Sequence, residues 1–322
     1  MLDVVALGEL VIDFSPAGFS DEGNALYERH PGGAPSNLLA AVTKLGGKTA
    51  LIGMVGEDEF GFFLRDTLVS CGVGTQGLRL SPDAYTTLAF VHLDQSGNRS
   101  FTVMRRPGAD TCLPLEQVDF SLIGGARIFH VSAASLTHEP TRGSAFAAAK
   151  YARERGVPVS FDANYREVLW DAETARRVMR EFLPLVDILK VSDEEMTLLS
   201  GTEDLSEGSR MLAGYGPKLV AVTLGPRGCF YRHPAGCGSL PAYDVKVVDT
   251  NGAGDIFLGS VLSQLCESGK PLAAFGREEL EAIIRFANAA GSVCASRRGG
   301  LLSAPTREEV LRCMNGIPSL AV

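Results

Sequence analysis

Short apolar runs alternate along this chain with amphipathic stretches. The apolar runs fall at Val4–Gly8, Thr49–Val55, Arg127–Val131, Val157–Phe161, Val186–Val191 and Lys218–Leu224. They are strand-length and apolar at consecutive positions, the mark of strands buried on both faces. Helical patterns lie between them at Pro35–Leu45, Glu59–Cys71, Thr141–Arg155, Ala172–Leu183 and Glu207–Tyr215. Further helical patterns follow at Ile256–Cys266, Arg277–Cys294 and Thr306–Met314. This alternation predicts an α/β fold, a largely parallel sheet covered by helices on both faces. Two stretches, residues 11–30 and 86–105, break the pattern and read as strands joined by turns. Within the second, Leu88–Leu93 and Arg99–Val103 flank Asp94-Gln95-Ser96-Gly97-Asn98, which predicts a hairpin. Such pieces form a small accessory sheet serving as a lid or an interface.

Composition narrows the classes. The 322 residues, 45% hydrophobic, support one large core, and no linker or internal repeat divides it, so residues 1–322 are expected to be a single domain. A net charge of −8 argues against non-specific nucleic-acid binding. The seven cysteines lack C-x-x-C spacing, which suits reduced thiols and a cytoplasmic protein. The N-terminus enters a strand without a basic or long apolar segment, so neither signal peptide nor membrane span is expected. The five histidines lack zinc-ligand spacing, and His130 falls in an apolar strand as a core residue.

The chemistry concentrates at Asp249-Thr250-Asn251-Gly252-Ala253-Gly254-Asp255. A valine-rich segment, Tyr243–Val248, reads as a strand running into this glycine turn, and the turn opens an apolar helix. Small residues let several backbone N–H groups converge at a helix N-terminus, where anions are favoured. Asp255 sets a carboxylate beside that anion site. Taking the proton from an alcohol that attacks a phosphoryl group accounts for it. The other reading of these residues is an N-cap on an ordinary turn.

Pro31-Gly32-Gly33-Ala34-Pro35-Ser36-Asn37, Gly53-Met54-Val55-Gly56-Glu57-Asp58-Glu59-Phe60-Gly61 and the Asp249–Asp255 turn, in this order, resemble the signatures of the ribokinase-like (PfkB-type) carbohydrate kinases. Gly8-Glu9 with Asp13, the run Phe161–Arg166 ending in Leu169-Trp170, and Lys190–Glu195 most resemble the fructokinases in that family. The resemblance implies a three-layer α/β/α core with a β-sheet lid. It implies phosphorylation of a small sugar, most readily fructose to fructose 6-phosphate, by ATP with Mg²⁺. A homodimer formed by two lids is one assembly such a lid allows.

By the same resemblance, Asp255 is the general base and the backbone of Gly252, Ala253, Gly254 and Asp255 the anion hole. Asp13, Gly32, Gly33, Asn37, Arg105, Asn164 and Arg166 would bind substrate, and Lys190, Thr223, Gly225, Gly228 and Asn288 the nucleotide. Glu195 would orient Mg²⁺ through water. Asp249 and the carbonyls of Asn251, Ala295 and Gly300 stand where some relatives hold K⁺.

Rival readings remain. Kinases of the same fold act on 2-keto-3-deoxygluconate, ribose or nucleosides, and a non-catalytic sugar-binding protein would share the fold. Gly72-Val73-Gly74-Thr75-Gln76-Gly77 matches the dinucleotide fingerprint of NAD-binding oxidoreductases by letters. It follows a helix and precedes Leu78-Arg79-Leu80 rather than a helix start.

Overall fold

The computed structural model describes residues 1–93 and 99–320. The expected turn Asp94–Asn98 lies outside them. In chain order the elements are β1 (Leu2–Leu7), β2 (Val11–Phe19), β3 (Ala25–Gly32), α1 (Ala34–Lys44), β4 (Thr49–Gly56), α2 (Glu59–Ser70), β5 (Gly74–Ser81), β6 (Leu88–Leu93) and β7 (Arg99–Met104). There follow α3 (Phe120–Gly124), β8 (Ala126–Ser132), α4 (Thr141–Glu154), β9 (Val159–Asp162), α5 (Ala172–Phe182), β10 (Ile188–Ser192), α6 (Asp193–Ser200), α7 (Leu205–Ala213) and β11 (Leu219–Thr223). The chain closes with β12 (Cys229–His233), β13 (Gly236–Leu240), α8 (Ala253–Ser268), α9 (Arg277–Ala295) and α10 (Arg307–Gly316).

Nine strands form one sheet in the order β13-β12-β11-β10-β9-β8-β1-β4-β5. Its pairings are parallel except at β11–β12 and β12–β13. Strand alternation splits the core in two. Val4, Ala6 and Ile128 pack against α1, α2, α8, α9 and α10. Val5, Leu7, Phe129 and Val131 pack against α3 to α7. The result is the expected three-layer α/β/α arrangement. His130 is wholly buried on β8, its Nδ1 3.1 Å from Ser160 Oγ, and burial pushes its pKa down to about 3, so the ring is neutral.

The residues that break the alternation pair separately, in the sheet β3-β2-β6-β7. On β2 and β6, Phe14 and Phe90 turn to one face and stack at 4.8 Å, with Phe60 of α2 edge-on to Phe14 at 5.9 Å. The intervening residues Val11, Asp13, Ala89 and Val91 turn to the other face, toward the core.

One sequence expectation needs correction. Tyr243–Val248 is not a strand; Tyr243 makes only an isolated bridge, to Ser319. Its valine pattern reflects a preference for half-buried pleated surface, yet Val247 and Val248 are exposed and the β12–β13 hairpin holds the sheet edge. The N–H groups of Val248 and Asp249 both donate to Ala295 O at the end of α9, so a helix end rather than a strand positions the turn before Asp255. As the sequence context implies, the glycines at 72–77 lead from the end of α2 into edge strand β5 and open no helix.

Candidate active site

A cavity of about 210 Å³ lies between the small sheet and the C-terminal ends of β1, β8 and β9. Open α/β sheets bind ligands at this end. Asp13, Gly33, Asn37, Arg105, Asn164, Arg166, Asn251, Gly252 and Asp255 line it, so the cavity gathers residues predicted from five separate stretches of chain. Ala89, Val91 and Val103 supply an apolar wall from the small sheet.

Asp255 sits in the first turn of α8, almost wholly buried. Gly252 caps that helix in the left-handed region (φ 78°), with no side-chain cap. A Cβ there would lie 2.8 Å from Gly300 Cα, so this turn requires glycine. Ala253 N–H donates to Thr250 O at 3.2 Å. Uncapped first-turn N–H groups of this kind favour anions. Asn37, on the first turn of α1, donates from Nδ2 to Asp255 Oδ2 at 2.8 Å. Its Oδ1 is buried with no hydrogen-bond partner, which leaves an acceptor for a hydroxyl entering the cavity. Burial pushes the Asp255 carboxyl up to about 6, and Asp162 adds to the rise; Lys190, Asn37 and Arg166 oppose it. A carboxyl of this kind is a base near neutral pH.

Lys190 is buried on β10, its Nζ 3.0 and 3.3 Å from the two oxygens of Asp162 on β9. A Cβ on Gly254 would lie 3.1 Å from the same Nζ, so the ammonium stands against the first turn of α8. Burial alone would lower the Lys190 pKa, but Asp162, Glu195 and Asp255 override it and keep the amine charged. Glu195 is buried in a capping box at the start of α6: Oε2 accepts from Ser192 N and Oε1 from Tyr165 N, each at 2.8 Å. That second bond ties α6 to the loop carrying Asn164 and Arg166. Asn164 has φ 25°, the one positive non-glycine φ among the described residues, and its N–H donates to Asp162 Oδ1 at 3.1 Å. Arg166 is exposed and donates to Tyr165 O.

On the lid side, burial pushes the Asp13 carboxyl up to about 6 against the pull of His30 and Arg166. A Cβ on Gly32 would lie 2.2 Å from Asp13 Oδ2, so glycine at 32 makes room for this carboxylate. Arg105 is buried and committed: Nε donates to Asp110 Oδ2 at 2.7 Å, with further bonds to Thr137 Oγ1 and Ala134 O. Asp110 in turn accepts from Thr87 Oγ1 at 2.5 Å.

Sequence reasoning gave no role to three of these groups. Asp110 carries no local signal, because its partner Arg105 is set by how the loop folds. Asp162 directly follows the apolar run Val157–Phe161, where nothing local names its lysine, although Lys190 at the same level of the adjacent strand is the pairing that sheet register brings. Glu9 also lines the cavity, and a carboxylate directly after β1 is the signal that marks it.

The expected nucleotide residues lie outside the cavity, beyond Lys190 along the sheet. Thr223 ends β11, and Gly225 and Gly228 hold positive φ in the loop before β12. Asn288 on α9 spends its amide on Leu240 O and Pro241 O at 2.8 and 3.0 Å, which joins α9 to the end of β13. Asp249, Asn251, Ala295 and Gly300 come together around the turn before α8. Asp249 Oδ1 accepts from Asn251 N at 3.0 Å, Asp249 N donates to Ala295 O, and Gly300 O accepts from Ser303.

Residues 1–307 match the family model described as pfkB family carbohydrate kinase. The chain is 40% identical over 312 residues to a probable chloroplastic fructokinase-6 of Arabidopsis thaliana, across 95% of this chain and 81% of that one. Among solved structures, a fructokinase with bound ATP from Xylella fastidiosa superposes with a TM-score of 0.90 at 31% identity, over 98% of this chain and 99% of that one. A double-mutant fructokinase of Vibrio cholerae O395, in its fructose, ADP and potassium ion bound form, gives 0.85 at 32% identity over 97% and 98%.

Proposed function

The chain belongs to the pfkB family of carbohydrate kinases, and from that premise we propose that it transfers the γ-phosphate of ATP to the C6 hydroxyl of D-fructose. The observation that carries this reading is Asp255: one buried carboxylate at the meeting of an uncapped helix N-terminus and a cavity floored by Asn37. In that place Asp255 takes the proton of the attacking hydroxyl, and the first turn of α8 with Lys190 stabilises charge on the transferring group.

A neutral sugar suits the cavity better than a sugar acid. Glu9, Asp13, Asp110 and Asp255 face it, and its buried cation, Arg105, is paired with Asp110. A carboxylate-bearing 2-keto-3-deoxygluconate would meet an excess of negative charge, with the exposed Arg166 alone among the described lining residues to answer it. The Asp13 carboxylate instead accepts from the vicinal hydroxyls of a ketohexose. The test is ADP release with MgATP and fructose, 2-keto-3-deoxygluconate, ribose or adenosine. Fructose is expected to give the highest kcat/KM. Higher turnover of the sugar acid, or none of any sugar, overturns the specificity or the catalytic reading respectively.

Asp13 is assigned two sugar hydroxyls. Asp13→Ala is expected to raise KM for fructose by about 10- to 100-fold, the loss of hydrogen bonds to a charged group, and to leave KM for ATP unchanged. Equal changes in both constants would remove the assignment.

For the nucleotide we assign Lys190 to the phosphates and the Thr223–Gly228 loop to the nucleotide body, with Asn288 holding the pocket wall. Glu195, buried at the start of α6, is assigned to orient Mg²⁺ through water, since Mg²⁺ prefers hard oxygen partners and keeps much of its hydration. Mg²⁺ held there would neutralise charge on the phosphate oxygens. The all-oxygen set of Asp249 with the Asn251, Ala295 and Gly300 carbonyls fits K⁺. Turnover is expected to rise several-fold when KCl replaces NaCl, and equal rates in the two salts would dismiss this site.

The cysteines, none of them paired, suit a reducing compartment such as the cytoplasm; among the described residues no helix is long and apolar enough to cross a membrane. Phe19, Leu26 and Met104 are exposed on the lid sheet, and a homodimer pairing two lids would cover them. Sedimentation as a monomer would exclude it.

A further inference from the structure

Glu9 is buried on the cavity wall, and its two oxygens tie together segments far apart in sequence. Oε1 accepts from Ala34 N at 2.9 Å, and Oε2 accepts from Ser132 Oγ at 2.5 Å. Ala34 is the first residue of α1, and Ser132 ends β8.

Helix α1 cannot cap itself. Its N-cap is Gly33, it has no side-chain cap and no acidic residue in the first turn, and Pro35 stands near its start. Glu9 supplies what the local sequence lacks, an acceptor at the helix N-terminus. The backbone packs to suit. A Cβ on Gly33 would lie 2.4 Å from Glu9 O, and one on Gly8 would lie 2.3 Å from Pro35 Cγ. The Gly8-Glu9 pair and the Gly33–Pro35 entry are therefore interlocked.

One turn further along the same helix, Asn37 donates to Asp255. We propose that Glu9 is a positioning residue for phosphoryl transfer: capping α1 from the end of β1, it holds Asn37 in register with Asp255. This rests on Asp255 being the base. It extends that reading to a group that touches neither base nor phosphate. Losing the cap frees the first turn of α1 to fray, and small misplacements at a reacting centre are expensive.

The test is a double-mutant cycle on kcat/KM for fructose, with Glu9→Ala, Asn37→Ala and the pair. Glu9→Ala alone is expected to lose about 10- to 100-fold, but no more than about threefold when Asn37 is already alanine, since coupled residues are non-additive. Glu9→Gln keeps an acceptor for Ala34 N and offers an amide to Ser132, and is expected to stay within about threefold of the parent. A purely structural role predicts otherwise: unchanged kinetics in the folded fraction, or penalties that multiply independently. Either result overturns the proposal, as does Glu9→Gln being as damaging as Glu9→Ala. If Glu9→Ala does not fold, Glu9→Asp, with the carboxyl group but a shorter reach, replaces it in the cycle with the same outcomes. The Asn37 side-chain amide NMR signal reads the Asn37–Asp255 bond without turnover. A protein inactive on fructose whose Asn37 signal still depends on Glu9 would fail the fructokinase reading and keep the positioning role; a signal indifferent to Glu9 would end the latter.

Discussion

Asp255→Asn is expected to fold like the parent and to lose at least about 10²–10⁴-fold of its sugar phosphorylation, the range for removal of a general base. The fold tolerates the change because asparagine has the same shape and can still accept from Asn37 Nδ2. It also replaces a carboxylate that burial and Asp162 already press toward its neutral form. The chemistry does not tolerate it. An amide cannot take a proton from a hydroxyl, while the anion site, the cavity and Lys190 all stay in place. The loss should therefore fall on kcat, with KM for fructose and ATP little changed and the melting temperature equal or higher. Steady-state kinetics beside thermal unfolding separate these effects. Turnover within tenfold of the parent would take the base role away from Asp255.

The second large effect is expected at the Lys190–Asp162 pair. Lys190→Met leaves Asp162 buried without its cation, and breaking such a pair costs roughly 3–5 kcal/mol of stability. It also strips the first turn of α8 of its ammonium, where losing one stabilising donor typically costs about 10²–10³ in kcat. Asp162→Asn acts differently. It removes the like charge that helps raise the Asp255 carboxyl and leaves Lys190 beside Glu195 and Asp255. The base works ionised, so kcat falls as pH drops through about 6. Without the Asp162 charge Asp255 ionises more readily, and the midpoint of that limb should move to lower pH. Glu9 lines the same cavity and burial pushes its carboxyl up to about 7, so the limb is read on kcat at saturating fructose, with Asp13 covered by substrate, in a Glu9→Gln background, where it reports the base. A midpoint that stays or moves up would mean that Asp162 does not act on Asp255 through its charge.

Periodicity made most of the core legible. Parallel strands buried on both faces announce themselves by consecutive apolar residues, as Thr49–Val55 and Lys218–Leu224 did. The lid was legible because residues 11–30 and 86–105 interrupt that rhythm. The β12–β13 hairpin was not. Cys229–His233 and Gly236–Leu240 lie beside a parallel sheet but mix glycine, histidine and arginine among their apolar residues. Tyr243–Val248 was misread for the opposite reason, valines with no sheet edge to join. The candidate site was legible where chemistry is local, as in the glycine turn beside Asp255. It was illegible where side chains meet only through the fold. Lys190 was legible as a motif residue but not as Asp162's partner, Arg105 as a cation but not as one neutralised by Asp110, and Glu9 as a letter beside Gly8 but not as the cap of α1.

The central claim is transfer of the γ-phosphate to C6 of fructose with Asp255 as base. ³¹P and ¹³C NMR of the product formed from MgATP and ¹³C-labelled fructose tests it most directly. Fructose 6-phosphate accumulating in step with ADP, and absent with the Asp255→Asn protein, is the predicted result. Fructose 1-phosphate, ADP without a sugar phosphate, or fructose 6-phosphate formed equally well by the Asp255→Asn protein would contradict it.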